Sequence, residues 1–237
     1  MTTYQNITKK CVYCGKESEQ TLLTSYNQTG YPSLDCRVER MGVDPLYMAM
    51  DKCPHCNYAA PDISEELPGL DSKIFESKEF KDLVEKYDKK WPVSETSILS
   101  FFNPNVVTSY LIFAYLNESI NNYGAAASSY LNASWILDDK KDIESANKAR
   151  KKAVSNFLKL NGLDVTSSFQ VLDLLRRSCE FDEALEFLKP LEEKYTDDDI
   201  FHAMVVFQKE LIKNKDSTNY TTFDAMEFFN KEKNGDK

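Results

Sequence analysis

A chain of 237 residues, 42% hydrophobic and 12% aromatic, can bury a sizeable core as one large domain or two smaller ones. Seven glycines and eight prolines are too few for a turn-rich all-β fold and favour helices. The first 60 residues balance six Lys/Arg against six Asp/Glu, so the whole net charge of −9 falls on the remainder, and no basic face suited to nucleic-acid phosphates is visible.

The opening, MTTYQNITKKCVYC, has neither an apolar leader segment nor a small-residue cleavage site. The longest apolar stretch, around Val106 to Leu116, is interrupted by Thr108 and Ser109 and is too short to span a bilayer. The expectation is a soluble, cytoplasmic protein with no membrane association.

Two Cys-x2-Cys pairs follow in chain order, Cys11-Val-Tyr-Cys14-Gly15 and Cys53-Pro-His-Cys56-Asn57. In a reducing compartment such pairs read as metal ligands more readily than as disulfides, and two of them supply four thiolates at tetrahedral corners. After each second cysteine the chain must turn back so that backbone N–H groups point at sulfur, which favours a positive φ. Gly15 adopts it freely, and Asn57 is among the few other residues that tolerate it. Lys9, Lys10, Lys16 and Lys52 lie close by in sequence and are candidates to soften the formal −2 charge of a zinc tetrathiolate. Cys11, Cys14, Cys53 and Cys56 are therefore the candidate ligands of one structural zinc. Iron is the alternative, because the knuckles also resemble those of rubredoxin and thiolates suit either metal.

The 38 residues between Cys14 and Cys53 must form a folded insertion. A short antiparallel β unit is expected, with candidate strands at 20–26 and 45–52. Cys36 reads as a spare ligand or, more often for such a residue, a small buried hydrophobe, and Cys179 reads as core. His55, inside the second knuckle, is expected at the surface, and His202 is expected to be an ordinary helix residue.

Past residue 62 the apolar period changes to 3.6. Residues 77–90 place Phe80, Leu83, Val84 and Tyr87 on one face behind Ser77 as N-cap. Asn103-Pro104 opens a helix running toward Ile120. Further helices are predicted over 122–139, 141–160 (ended by Asn161-Gly162), 167–180, 181–195, 198–214 and 223–231. Tyr123-x2-Ala126-x3-Tyr130-x2-Ala133 repeats the spacing of Phe181-x2-Ala184-x3-Leu188-x2-Leu191, 58 residues on. Small residues at helix crossings in this pattern suit tetratricopeptide-like hairpins, here degenerate rather than an array at the regular period of about 34. The basic run at 147–152 reads as a solvated helix face.

The residues Cys11, Cys14, Gly15, Leu34, Asp35, Arg37, Pro45, Leu46, Cys53, Pro54, Cys56, Tyr58 and Ala59 resemble the signature of a bacterial family, domain of unknown function 2225. Its members join a Cys-x2-Cys-Gly to a second knuckle through a Leu-Asp-x-Arg segment, and many carry a tetratricopeptide-like tail. The resemblance is strong over residues 9–61 and looser to about 195. Asn57 replaces the family's usual glycine, and Val38 and Glu39 stand where some members have prolines. The resemblance implies a zinc-bearing fold and no particular activity. Asp35 and Arg37 carry its other polar signature, as a structural brace or as the lining of a binding groove.

The fold expected from all this is α+β, mostly α. A small zinc-ribbon-like β unit (1–61) precedes an acidic, all-α tetratricopeptide-like domain (62–237). With no P-loop, no GxGxxG and no nucleophile motif near either histidine, no catalytic residue is assigned. The expectation is a zinc-binding, non-catalytic adaptor that takes a protein or peptide partner. An iron electron-transfer module and an enzyme with a second, unseen site are the alternatives.

Overall fold

The computed structural model describes residues 3–38, 44–91, 106–196 and 199–235. It is mostly helical with a small β component. β1 (Thr3–Lys10), β2 (Glu17–Ser25), β3 (Asp51–Lys52) and β4 (Ala59–Ala60) precede α1 (Lys78–Lys90), α2 (Val106–Ser119), α3 (Tyr123–Asp139), α4 (Ile143–Phe157), α5 (Val165–Arg177), α6 (Phe181–Lys194), α7 (Asp199–Lys213) and α8 (Thr222–Asn234). Helices fall where the 3.6 period places them. Ser77 caps α1 by accepting from the Phe80 N–H, and α5 begins earlier than expected because Asp164 caps it through the Ser167 N–H. α8 starts in a capping box between Thr221 and Asp224. The cap expected at Asn103-Pro104 lies outside the described residues. Among the described residues no helix is long and apolar enough to cross a membrane.

The chain divides into two compact units, and the division is not at residues 61/62. One unit is Met1–Asn27 with Arg40–Ala149; the other is Gln28–Glu39 with Arg150–Lys237. The cause is packing: the knuckle residues share their core with the first helices. Cys11, Cys53, Tyr58, Ala59, Ala60 and Ile63 belong to one buried cluster with Phe80 and Val84 of α1 and Ile112 and Leu116 of α2. α2 is buried on nearly every side and packs on α1, α3 and β4. Tyr47 and Tyr110 tie the last part of the insertion to this helical layer, donating to Asp139 Oδ2 (3.1 Å) and to the Leu46 carbonyl (3.0 Å).

The β component differs from expectation in register. β1 pairs antiparallel with β2 and β3 with β4, making two separate two-stranded hairpins. The predicted strand at 20–26 is the outer part of β2. Of the one predicted at 45–52, only Asp51–Lys52 is strand; Asp44 caps Pro45–Tyr47 into a 3-10 turn.

Residues 28–38, expected as part of the ribbon, instead belong to the second unit. There Leu34 N–H donates to the Tyr220 carbonyl (2.9 Å) and Thr222 N–H to the Pro32 carbonyl (2.8 Å), bridging Ser33 to Thr221. Leu34 is fully buried. In this unit α5, α6, α7 and α8 pack in sequence, and α5 also packs on α7.

Four helices end alike. Asn121, Lys141, Cys179 and Lys215 take left-handed φ of 60, 62, 63 and 53°. In each case the following N–H (Asn122, Asp142, Glu180, Asp216) reaches back to a carbonyl five residues earlier. These are Schellman turns without glycine. Cys179 is accordingly exposed, which corrects its reading as core. Helical periodicity cannot see that a residue has become the turn.

Candidate metal centre

Each knuckle is the turn of a hairpin. β1 delivers Cys11 and β2 leaves after Gly15-Lys16; β3 delivers Cys53 and β4 leaves after Asn57-Tyr58. The two turns are superimposable in their hydrogen bonds. Cys11 N–H donates to the Lys16 carbonyl (2.9 Å) and Gly15 N–H to the Cys11 carbonyl (2.9 Å). Cys53 N–H donates to the Tyr58 carbonyl (2.8 Å) and Asn57 N–H to the Cys53 carbonyl (2.9 Å). Gly15 and Asn57 have φ of 71° and 62°, the left-handed conformation that the turn requires.

The four Sγ atoms all lie within 4.8 Å of one another. Cys11 to Cys56 and Cys14 to Cys53 are both 3.6 Å apart. A tetrahedral site with metal–sulfur bonds of about 2.3 Å has sulfur–sulfur edges of about 3.8 Å, so the donor set fits a single thiophilic ion. Cys11 and Cys53 are fully buried, while Cys14 and Cys56 are half-buried.

Burial pushes the thiols of Cys53 and Cys56 above the ordinary cysteine value. Backbone N–H groups act the other way: those of Cys56 and His55 on Cys53, and that of Tyr58 on Cys56. At Cys14, burial also opposes ionisation, but the Lys16 N–H and the neighbouring thiols outweigh it and the pKa is lowered. Amides aimed at sulfur are the feature that the turn residues predict. A cation among these thiols completes what the amides begin, because a thiolate rather than a thiol is the ligand.

The surroundings fix the knuckles to the helices. Tyr13 donates to the Leu67 carbonyl (3.2 Å) and accepts from the Leu67 N–H (3.0 Å), and Tyr58 donates to the Glu65 carbonyl (3.0 Å). The two rings meet edge-on at 4.7 Å, and both contact Phe75, which packs on Phe80. Lys9 pairs with the buried carboxylate of Asp51 at 2.6 Å and with Asp62 at 3.3 Å, and Lys52 pairs with Asp88 at 3.0 Å. These two lysines therefore answer carboxylates. His55 is exposed on its knuckle, as expected.

Cys36 is not in the sulfur cluster; it belongs to the second unit. It is half-buried with φ of 68°, and burial, helped by Asp35, pushes its thiol up to about 12. Asp35 is fully buried. Its carboxylate accepts from the Ser33 hydroxyl and from Arg177 Nη1 at 2.9 Å. Arg37, half-buried, contributes its backbone: its carbonyl accepts from Ser33 N–H (2.8 Å) and its N–H donates to Ser33 Oγ (3.0 Å). Arg177 is the partner that sequence reasoning missed. It lies 142 residues from Asp35, and no local pattern announces such a pair.

With this geometry in place, the family is clear: the chain belongs to the bacterial family described as "uncharacterized protein conserved in bacteria (DUF2225)", whose model matches residues 6–174. No curated protein and no solved structure matches it. The matched stretch takes in the four cysteines and Leu34-Asp35 and ends within α5, just short of Arg177.

Proposed function

We propose that the chain is a zinc-binding, non-catalytic adaptor: a ribbon with one structural zinc, built into helices that take a protein or peptide partner. The observation that carries this reading is the closed set of four sulfurs within 4.8 Å. Four cysteine ligands saturate a tetrahedral zinc and leave no position for water, so the ion would supply folding energy rather than Lewis-acid chemistry. Cys11, Cys14, Cys53 and Cys56 would hold it. Zinc is favoured over iron because the 38-residue separation of the knuckles is long for a rubredoxin.

The partner-binding part rests on the helix pairs. α3 and α6 open on the same spacing, and Ala126, Ala133 and Ala184 are fully buried. Each follows its preceding helix through a three-residue connection that holds a Schellman turn, at Asn121 and at Cys179. Close helix pairs of this kind support a tetratricopeptide-like reading, and such hairpins hold peptides on a concave face. Asp35 and Arg37 are assigned to bracing, on the buried pairing of Asp35 with Arg177.

Metal analysis of the purified chain, with capture of bound proteins from the native cell, tests both halves. One zinc per chain and a stoichiometric partner support the reading. A red protein with one iron replaces it with electron transfer, and turnover of a small molecule without a protein partner replaces the adaptor with an enzyme.

A further inference from the structure

The stretch between the knuckles makes an excursion. The chain leaves the first unit at Asn27, contributes Gln28–Glu39 to the second, and returns at Arg40. Within the second unit it is held as a bound peptide would be. Its backbone pairs on both sides of Ser33, through the Leu34 N–H and the Pro32 carbonyl, with Tyr220 and Thr222. Leu34 is fully buried and Asp35 answers the Arg177 guanidinium at 2.9 Å. Tyr31 stacks on Phe223 with ring centroids 4.9 Å apart. Backbone pairing, an apolar anchor and a captured carboxylate are the three elements of extended-peptide recognition.

The ends of this excursion are the two knuckles, since Cys14 precedes it and Cys53 follows it. A metal held by both pairs closes the intervening 38 residues into a loop. Closing a loop restricts the free chain far more than the docked one and so raises the effective concentration of the segment at its groove. We infer that residues 32–37 are a peptide-like latch of the C-terminal helical unit, and that metal occupancy of the four-cysteine site and docking of this latch favour one another. By linkage the coupling is reciprocal: the factor by which metal strengthens docking is the factor by which docking strengthens metal binding. The inference rests on the metal reading above.

The test uses the full chain with zinc as the probe. Hydrogen exchange is followed at the Leu34 and Thr222 amides, which donate across the docked segment, with zinc bound and after chelation. Exchange at both should quicken about fivefold or more on zinc removal, the range of ordinary coupling. Zinc affinity, read by competition with a chromophoric chelator, should fall by a similar factor in Leu34→Ala and Asp35→Asn. Equal protection of the two amides with and without zinc overturns the coupling, as does unchanged zinc affinity in Leu34→Ala. A chain that binds no zinc overturns the metal reading and this inference together. One that binds zinc with unchanged protection overturns only the inference.

Discussion

The two compact units are held together by different chemistry. In the first, a sulfur cluster sits in an apolar and aromatic core shared with α1 and α2. In the second, charges are buried outright. Arg176, fully buried, donates to Asp173 (2.6 Å), Gln208 (2.8 Å) and the carbonyls of Asp216 (2.6 Å) and Thr218 (2.9 Å), while Gln208 also donates to Asp173 (2.8 Å). A metal site concentrates its energy in four residues at fixed spacing. A buried polar network spreads it over α5, α7 and the turn before α8, so that each member depends on the others. The first should therefore fail through loss of its ion, the second through loss of any one partner.

The largest effect should come from Cys53→Ser or Cys11→Ser. Metal binding in small units is worth on the order of 10 kcal/mol of folding free energy, and a missing thiolate forfeits most of it. Metal analysis should find the ion gone. Because the knuckles share their core with α1 and α2, circular dichroism should show part of the helix lost with the ribbon, while α5 to α8 remain. Loss of all helix in one transition would erase the distinction between the units.

Arg176→Ala is the counterpart in the second unit. It leaves the Asp173 carboxylate buried without its cation, which costs about 3–5 kcal/mol. Denaturant unfolding should show that loss in the C-terminal helices, with one metal per chain retained. A variant that sheds its metal would mean that the C-terminal unit and the sulfur cluster depend on one another too strongly to count as two separate modes of failure.

These two sites were unequally legible. Cys-x2-Cys spacing and the Gly15 and Asn57 turns announce the knuckles, because a ligand pair and its turn are local. The helices were legible for the same reason, down to the Ser77 cap. Residues 28–38 were misread as ribbon because their partners, Tyr220 and Thr222, lie near the other end of the chain. Asp35 was visible as a polar signature, but Arg177 was not, since long-range charge pairing leaves no period. The boundary at 61/62 failed because a change of hydrophobic period marks a change of secondary structure, which here occurs inside one core.

Helix crossings offer a milder comparison of the units. Ala126 in α3 and Ala184 in α6 are both fully buried. Leucine at either should cost about 1–3 kcal/mol by forcing packed helices apart. Thermal melts of Ala126→Leu and Ala184→Leu should show both losses, each in its own unit. If either leaves stability untouched, that helix pair is loosely packed and the matched spacing is coincidence.

The smallest effect compares the two knuckles. They share hydrogen bonds and left-handed φ, yet one uses glycine and the other asparagine. A Cβ at Gly15 would meet nothing within 4 Å, so Gly15→Ala tests the backbone alone. The left-handed conformation costs an ordinary L-residue about 1–2 kcal/mol, and the metal-loaded chain should lose about that much in a chelator-free melt. Asparagine tolerates this region better than other side-chain-bearing residues, so Asn57→Gly should change stability by only a few tenths of a kcal/mol, while Asn57→Ala should cost about as much as Gly15→Ala. An Asn57→Gly loss as large as that of Gly15→Ala would show that the Asn57 side chain, and not its backbone freedom, holds the second knuckle, and the likeness of the two turns would end at their hydrogen bonds.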